Sequence, residues 1–425
     1  MRTIRATAGR LDRHHWFLLS LLGMASFFQG YDLNLVAVAL KQIRHDFGLS
    51  QAGASNWLGL LYLGALPAVF LTRQADRRGR RAILLVSVLG YTVATGLTSL
   101  APSILVFAGC QFFARGFLGT EQAVAWTMVA EELPASSRGL GFGWLAMLAA
   151  LGVGTSSILY GPVGLSWRWL YALATPPLLG LAVLRRRLPE SRRFVQARLE
   201  GVLAERWRQI LHPPNRRWLL LLCLTAVLGA LTTHAVALAP DFLQTQRHLT
   251  PATVGWLVTI GGVPAILVQL ASGPLSDHFG RKVVGCSFAA LAVLGALLFF
   301  YVARSPLAFA ATIAITLSGT LGARPALGAF TSELFTTPQR AFGAAAVSVA
   351  IVVGEFVSLE LGGWLLRVFG NLPDVVAVLI LGPVALIVIV ARWFPETKGR
   401  ELEEINPLGA ASVGLPATVI VTPEA

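Results

Sequence analysis

The sequence predicts an all-α membrane protein of twelve transmembrane helices, built as two pseudo-symmetric six-helix bundles. Three observations lead there. Hydrophobic residues make up 55% of the 425 and charged residues only 13%, whereas soluble chains carry about a quarter charged residues. Apolar runs of spanning length recur along the chain. Between them, charged loop motifs appear twice in the same order. Asp76-Arg77-Arg78-Gly79-Arg80-Arg81 returns as Asp277-His278-Phe279-Gly280-Arg281-Lys282, 201 residues later. Glu131 with Arg138 returns as Glu333 with Arg340 at an offset of 202, and Pro189-Glu190-Ser191 returns as Pro395-Glu396-Thr397 at 206. One near-constant offset across three motifs means two copies of one membrane unit, a construction that lets a midplane site face either side.

Spanning helices need roughly 17–25 mostly apolar residues. Such runs cover 16–38, 56–73, 82–101, 104–130, 140–162, 168–184, 218–243, 254–272, 284–303, 306–332, 343–366 and 373–394. Arg2, Arg5, Arg10 and Arg13 precede the first run. That run is too long for a signal peptide and lacks a cleavage site, so it reads as a spanning helix. The domains follow: an N-terminal bundle over 1–184, a basic cytoplasmic linker over 185–217 with ten arginines, a C-terminal bundle over 218–394, and a disordered cytoplasmic tail over 395–425. The tail has Pro, Gly and Ser without a sustained apolar period.

The formal net charge of +13 invites a nucleic-acid reading, but placement argues against it. Of the 34 Lys and Arg, 26 fall in one alternating set of loops and tails and six in the other. That asymmetry is the positive-inside rule, which sets both termini in the cytoplasm; the expected location is the plasma (inner) membrane. Cys110, Cys223 and Cys286 sit within apolar runs with no metal or disulfide spacing and read as small hydrophobes. No phosphate-cradling loop or nucleophile–His–acid arrangement stands out, so the expectation is a non-enzyme without cofactor or metal. Its partners are then the bilayer and a small-molecule substrate, with no nucleic acid, and a monomer suffices.

Gly30-Tyr31-Asp32, Asp76 to Arg81, Arg115-Gly116, Pro189-Glu190-Ser191-Arg192-Arg193-Phe194 and the ending Pro395 to Glu404 together resemble the major facilitator superfamily. The likeness spans nearly the whole chain and is nearest to the sugar-porter and metabolite:proton symporter branches. It implies alternating access, with helices 1, 4, 7 and 10 lining a cavity. It also implies that the acid of the Gly-Tyr-Asp motif, Asp32, faces the helix 4 arginine, Arg115, and loads protons. The departures from the pattern are specific. Thr72 stands where the first loop motif usually opens with Gly, which Gly273 supplies in the second copy. The glutamines of a sugar pocket are missing from helix 7 (Leu231-Thr232-Thr233-His234) and helix 5 (Gly143-Trp144-Leu145). A sugar needs many polar partners as its hydroxyls lose water, so a sugar substrate is disfavoured. Gly161-Pro162 lies at the outer end of helix 5, a poor match to the drug-antiporter pattern.

Ionisable groups inside the membrane cost several kcal/mol unless paired or hydrated, and each is a functional candidate. Asp32 with Arg115 is the proton-coupling candidate, against a permanent ion pair joining helices 1 and 4. Glu121, His234, Arg324 and Glu355 are the substrate-binding candidates. Adding 202 to Asp32 gives His234, and adding it to Gln122 gives Arg324. Arg324 either grips a carboxylate bidentately or pairs with Glu121 or Glu355. His234 either lines the cavity or fills a helix interface. Glu360, five residues from Glu355, points about 140° away and toward the outer surface. Asp241 and Asp374, near helix ends, are expected to snorkel to water.

Asp76, Arg77, Gly79, Arg80 and Arg81, with Glu131 and Arg138, form one cytoplasmic lattice; Asp277, Gly280 and Arg281, with Glu333 and Arg340, form its copy. Their acids can cap helices and pair with arginines as the inner side opens and closes. The reading is proton-coupled import of a small organic metabolite, an organic or aromatic acid, with the proton as coupling ion. The alternatives are organic-compound/proton antiport, sugar uptake and, against the short tails, a membrane sensor.

Overall fold

The computed structural model describes residues 11–133, 137–186, 188, 215–335 and 337–398. Among them there is no strand. Along the described residues the path is twelve helices. In the first half, α1 is Arg13–Val38 with a short continuation Leu40–Asp46, and α2 is Gln51–Leu63 followed by Pro67–Arg78. They are followed by α3 (Arg80–Ser99), α4 (Ile104–Glu132), α5 (Arg138–Tyr160) and α6 (Trp167–Arg185). In the second half, α7 is Asn215–Ala230 and Thr233–Thr245, α8 is Pro251–Phe279, and α9 is Arg281–Leu297 with a π turn Leu298–Val302. They are followed by α10 (Pro306–Glu333), α11 (Thr337–Phe369) and α12 (Leu372–Leu379 and Leu381–Trp393).

Nine of these helices are long and apolar enough to cross a membrane. The remaining three are α1, α4 and α6, and each carries buried charge: Asp32 on α1, Arg115 and Glu121 on α4, Arg185 on α6. Charge inside a helix lowers its hydropathy without shortening it, so the three still cross with their neighbours. Phe113, Leu151 and Leu267 stay exposed on the outside, as suits a surface solvated by lipid.

The duplication is visible in the caps. At the end away from the basic loops, Ser50 accepts from the Gly53 N–H at 3.0 Å and Thr250 from the Thr253 N–H at 3.2 Å. Ser103 and Ser305 cap α4 and α10 in the same way, at 3.4 and 3.3 Å. Each hydroxyl satisfies an N–H that a helix start leaves orphaned. At the basic end, Gly79 (φ 105, ψ 147) and Gly280 (φ 106, ψ 148) turn the chain into α3 and α9 with the same torsions. Only glycine adopts that conformation readily.

Packing repeats as well. α1 lies on α5 as α7 lies on α11, and α3 lies on α4 as α9 lies on α10. The two halves meet along two seams, α2 with α11 and α5 with α8. The first half extends one residue past the expected boundary at 184. Arg185 ends α6 with a fully buried side chain, so it belongs to the bundle and not to the linker. The rest of the expected linker to 214 lies outside the described residues except Arg186 and Leu188, and 215–217 begin α7. The expected tail beyond Lys398 also lies outside them.

Candidate functional site

α2 breaks between Leu63 and Pro67, where proline supplies no N–H to continue the ladder. Gly64, in the break, lets α4 approach to backbone contact, for a Cβ there would lie 2.2 Å from the Phe112 carbonyl oxygen. This approach sets Tyr62 beneath α4, and the Arg115 guanidinium carbon lies 4.1 Å from its ring centroid. Asp32, on α1, is 1% exposed, and both its carboxylate oxygens are buried without a hydrogen-bond partner. Arg115 is its electrostatic neighbour, yet no ion pair joins the two among the described residues. The Arg115 Nε is likewise buried and unpartnered.

From the other half, Arg324 sits mid-α10 immediately before Pro325, and the helix continues through both. Glu355 lies on α11, partly buried, while Arg324 is exposed. Glu355 is an electrostatic neighbour of Arg324 and of Arg115, and Tyr62 of all three. Four side chains from α2, α4, α10 and α11 therefore converge between the halves. Arg324 makes no hydrogen bond or ion pair among the described residues, which leaves its five donors available.

Two expected cavity residues are elsewhere. Glu121 is 6% exposed inside the first bundle and pairs with Arg185 at 2.5 and 2.6 Å. Arg185 also donates to the Leu84 and Leu21 carbonyls, at 3.4 and 3.2 Å, so this pair ties α4 and α6 to α3 and α1. His234 is fully buried between α7 and α11, where a Cβ on Gly362 would lie 2.1 Å from its Cδ2. Its backbone N–H donates to Ser358 Oγ at 3.1 Å, and neither ring nitrogen has a partner. α7 breaks at Leu231–Thr232 just before it, so the offset finds the equivalent position in sequence but not the cavity wall.

Asp241 does not snorkel. It is fully buried, with both oxygens 2.7 Å from Arg44 Nη1 and one also 2.7 Å from Gln51 Nε2. Around it, Lys41 donates to the Gln244 carbonyl at 2.9 Å, and Ser55 donates to the Leu359 carbonyl at 2.6 Å. Asn56 donates to Glu360 and accepts from Arg367 Nη1 at 2.9 Å. Each of these bonds crosses from one half to the other. Asp374 does stay exposed at a helix end, where it accepts from Tyr301 at 3.2 Å.

At the basic end, Arg281 pairs with Asp277 and, at 3.0 Å, with Glu333. Thr397 Oγ1 donates to Glu333 at 2.5 Å. Glu396 accepts from the N–H groups of Arg281, Lys282, Thr397 and Lys398 at 2.9 to 3.2 Å. Burial works to raise its carboxyl, and these donors outweigh that and hold it below its ordinary value. This lattice lies wholly within the second half. In the first copy, Arg80 Nη1 donates to the Ala75 carbonyl at 3.3 Å and Arg81 Nη2 to the Arg186 carbonyl at 2.6 Å. The side chains of Asp76, Arg77, Glu131, Arg138 and Arg340 lie outside the described residues.

Sequence reasoning passed over Tyr62, Arg185 and the docking of Glu396. An aromatic in an apolar run reads as core, and Arg185 stands first in an arginine-rich stretch. For Glu396 the repeated Pro-Glu-Ser/Thr motif was the available signal.

The family model of the Major Facilitator Superfamily matches residues 22–240 and 222–415. The cis,cis-muconate transport protein of Acinetobacter baylyi is 27% identical over 64% of this chain and 69% of that protein. A putative niacin/nicotinamide transporter of Bacillus subtilis is 26% identical over 91% and 97%. The inward-open xylose transporter XylE of Escherichia coli superposes with a TM-score of 0.74 at 16% identity, over 92% and 98% of the two chains. Duplicated bundles, repeated loop motifs and these likenesses agree: the chain is an integral membrane transporter that belongs to the Major Facilitator Superfamily.

Proposed function

We propose that the chain imports a small organic acid, an aromatic or other monocarboxylate, together with protons. The observation that carries this is the pair of arginines, Arg115 from one half and Arg324 from the other, facing Tyr62 and Glu355 between the halves. A planar guanidinium without an ion pair, next to an aromatic ring, suits a planar carboxylate. A transporter of muconate and a putative transporter of niacin and nicotinamide are among the similar proteins; muconate and niacin are organic acids, which supports that class. Asp32 with Arg115 carries the proton in this reading. With the basic end placed in the cytoplasm, the cross-half bonds around Asp241 close the outer side, and substrate leaves toward the inside.

The test compares a carboxylate with its amide. Benzoate and benzamide, or nicotinate and nicotinamide, are titrated against the parent, Arg324→Lys and Arg324→Gln. Acid binding is expected to fall roughly tenfold in the lysine variant and further in the glutamine variant, for the loss of a charge-assisted bidentate contact of about 1.5–3 kcal/mol. Amide binding should hardly move. Equal responses of acid and amide would make Arg324 structural and remove the organic-acid assignment.

A further inference from the structure

We propose that Tyr62 is a positioning residue that holds Arg115 off Asp32 and so decides whether Asp32 carries a proton; this rests on the coupling role proposed above. Arg115 lies over the Tyr62 ring at 4.1 Å rather than on the carboxylate. Asp32 meanwhile is buried with both oxygens unpartnered. A charged carboxylate left so is costly and a neutral carboxyl much less so, so this arrangement suits a protonated Asp32. The groups around Asp32 are Tyr31 on α1, Tyr91 on α3, Gln111 and Arg115 on α4, and Tyr171 on α6. Arg115 alone among these is charged, so its position governs the site.

Two arrangements follow. With Arg115 on the ring, Asp32 keeps its proton. With Arg115 swung onto Asp32, the proton passes from the carboxyl to water, the guanidinium keeps its charge, and a buried ion pair replaces a stacked cation. Tyr62 is placed to bias this choice. It is the penultimate residue of the first segment of α2, two residues before the glycine in the break, and α2 packs against both α4 and α11. Its ring also neighbours Arg324 and Glu355, so a solute held at Arg324 abuts the surface on which Arg115 rests. Movement along the α2–α11 seam then changes the stack, and with it the proton on Asp32.

The test needs no substrate. Infrared difference spectra of purified protein, parent against Asp32→Asn, isolate the carboxyl C=O band of protonated Asp32 and give its midpoint in a pH titration. In Tyr62→Leu, Arg115 loses its rest position, and the midpoint is expected to fall by at least about one pH unit, a tenfold loss of proton affinity. Tyr62→Phe, which keeps the ring, should titrate like the parent. Tyr62→Met serves where the leucine variant yields no folded protein. An unshifted midpoint in the leucine and methionine variants overturns the proposal, as does a parent with no protonated Asp32 band at any pH. Accumulation under a pH gradient by Asp32→Asn is scored separately. If that variant still accumulates solute, the coupling reading fails, whereas the infrared shift still reports on Tyr62.

Discussion

At the end away from the basic loops, charged and polar side chains reach from one half to the other. Arg44 and Gln51 hold Asp241, Lys41 holds the Gln244 carbonyl, and Asn56 bridges Glu360 and Arg367. At the basic end, Asp277, Arg281, Glu333, Thr397 and Glu396 form one lattice within the second half, while Arg80 and Arg81 donate to carbonyls of the first. The first set must part for the halves to separate at that end. The second can travel with its half as a rigid unit. Similar chemistry thus does two jobs, latching the halves together at one end and stiffening the second half at the other.

The largest expected effect comes from unpairing the latch. Arg44→Gln leaves the buried Asp241 carboxylate with its Gln51 contact, a loss of about 3–5 kcal/mol from the closed state. Spin labels at Pro102, in the α3–α4 loop, and Leu307, in the first turn of α10, sit on opposite halves at that end and should move apart as the population shifts. Exchange of the two charges, Arg44→Asp with Asp241→Arg, should restore much of the parent distance. Unchanged distances in Arg44→Gln would make the pair a passive contact.

A smaller effect is expected at the turn into α9. Gly280→Ala must adopt φ 106, with its Cβ 2.7 Å from Glu396 Oε2, at a cost of about 1–3 kcal/mol. The second half should melt earlier while the Pro102–Leu307 distance holds. A changed distance would show that the basic-end lattice also reports on the opposite seam.

Glu396→Gln should produce the smallest change, about 1 kcal/mol, read as a modest drop in thermal stability. The sign of its pH dependence is fixed. A carboxyl held below its ordinary value of 4.5 contributes stability above that value and loses it as pH falls through the lower, folded-state value. The parent should therefore lose stability at acid pH more steeply than the glutamine variant. Parallel pH curves would mean that the four N–H donors do not depend on the charge.

The architecture was legible because it repeats: the loop motifs and the equivalent glycines at 79 and 280 recur at nearly one offset. The offset failed at individual side chains for physical reasons. His234 follows a helix break and fills a slot beside Gly362, and a duplicated position need not keep its facing. Glu121 found Arg185, a residue that composition assigns to the linker. Asp241 looked like a helix-end residue with access to water because its partners come from the other half, and sequence spacing within one half carries no trace of them. Tyr62 carries no polar signature at all until the glycine at 64 brings α4 down upon it.

The latch has an electrical consequence once it parts. Lys41 and Arg44 stay with the first half, while Asp241 and Glu360 stay with the second, where Arg367 offsets part of their charge. An opened mouth therefore carries a transverse field, cationic on one wall and anionic on the other. An anionic solute is drawn along the α1–α2 wall, in a cleft whose low-dielectric sides concentrate field lines. Its arrival rate should fall with ionic strength, over the roughly 10 Å screening length at 0.1 M salt. The side chains that seal the closed carrier then serve as a selector of charge in the open one.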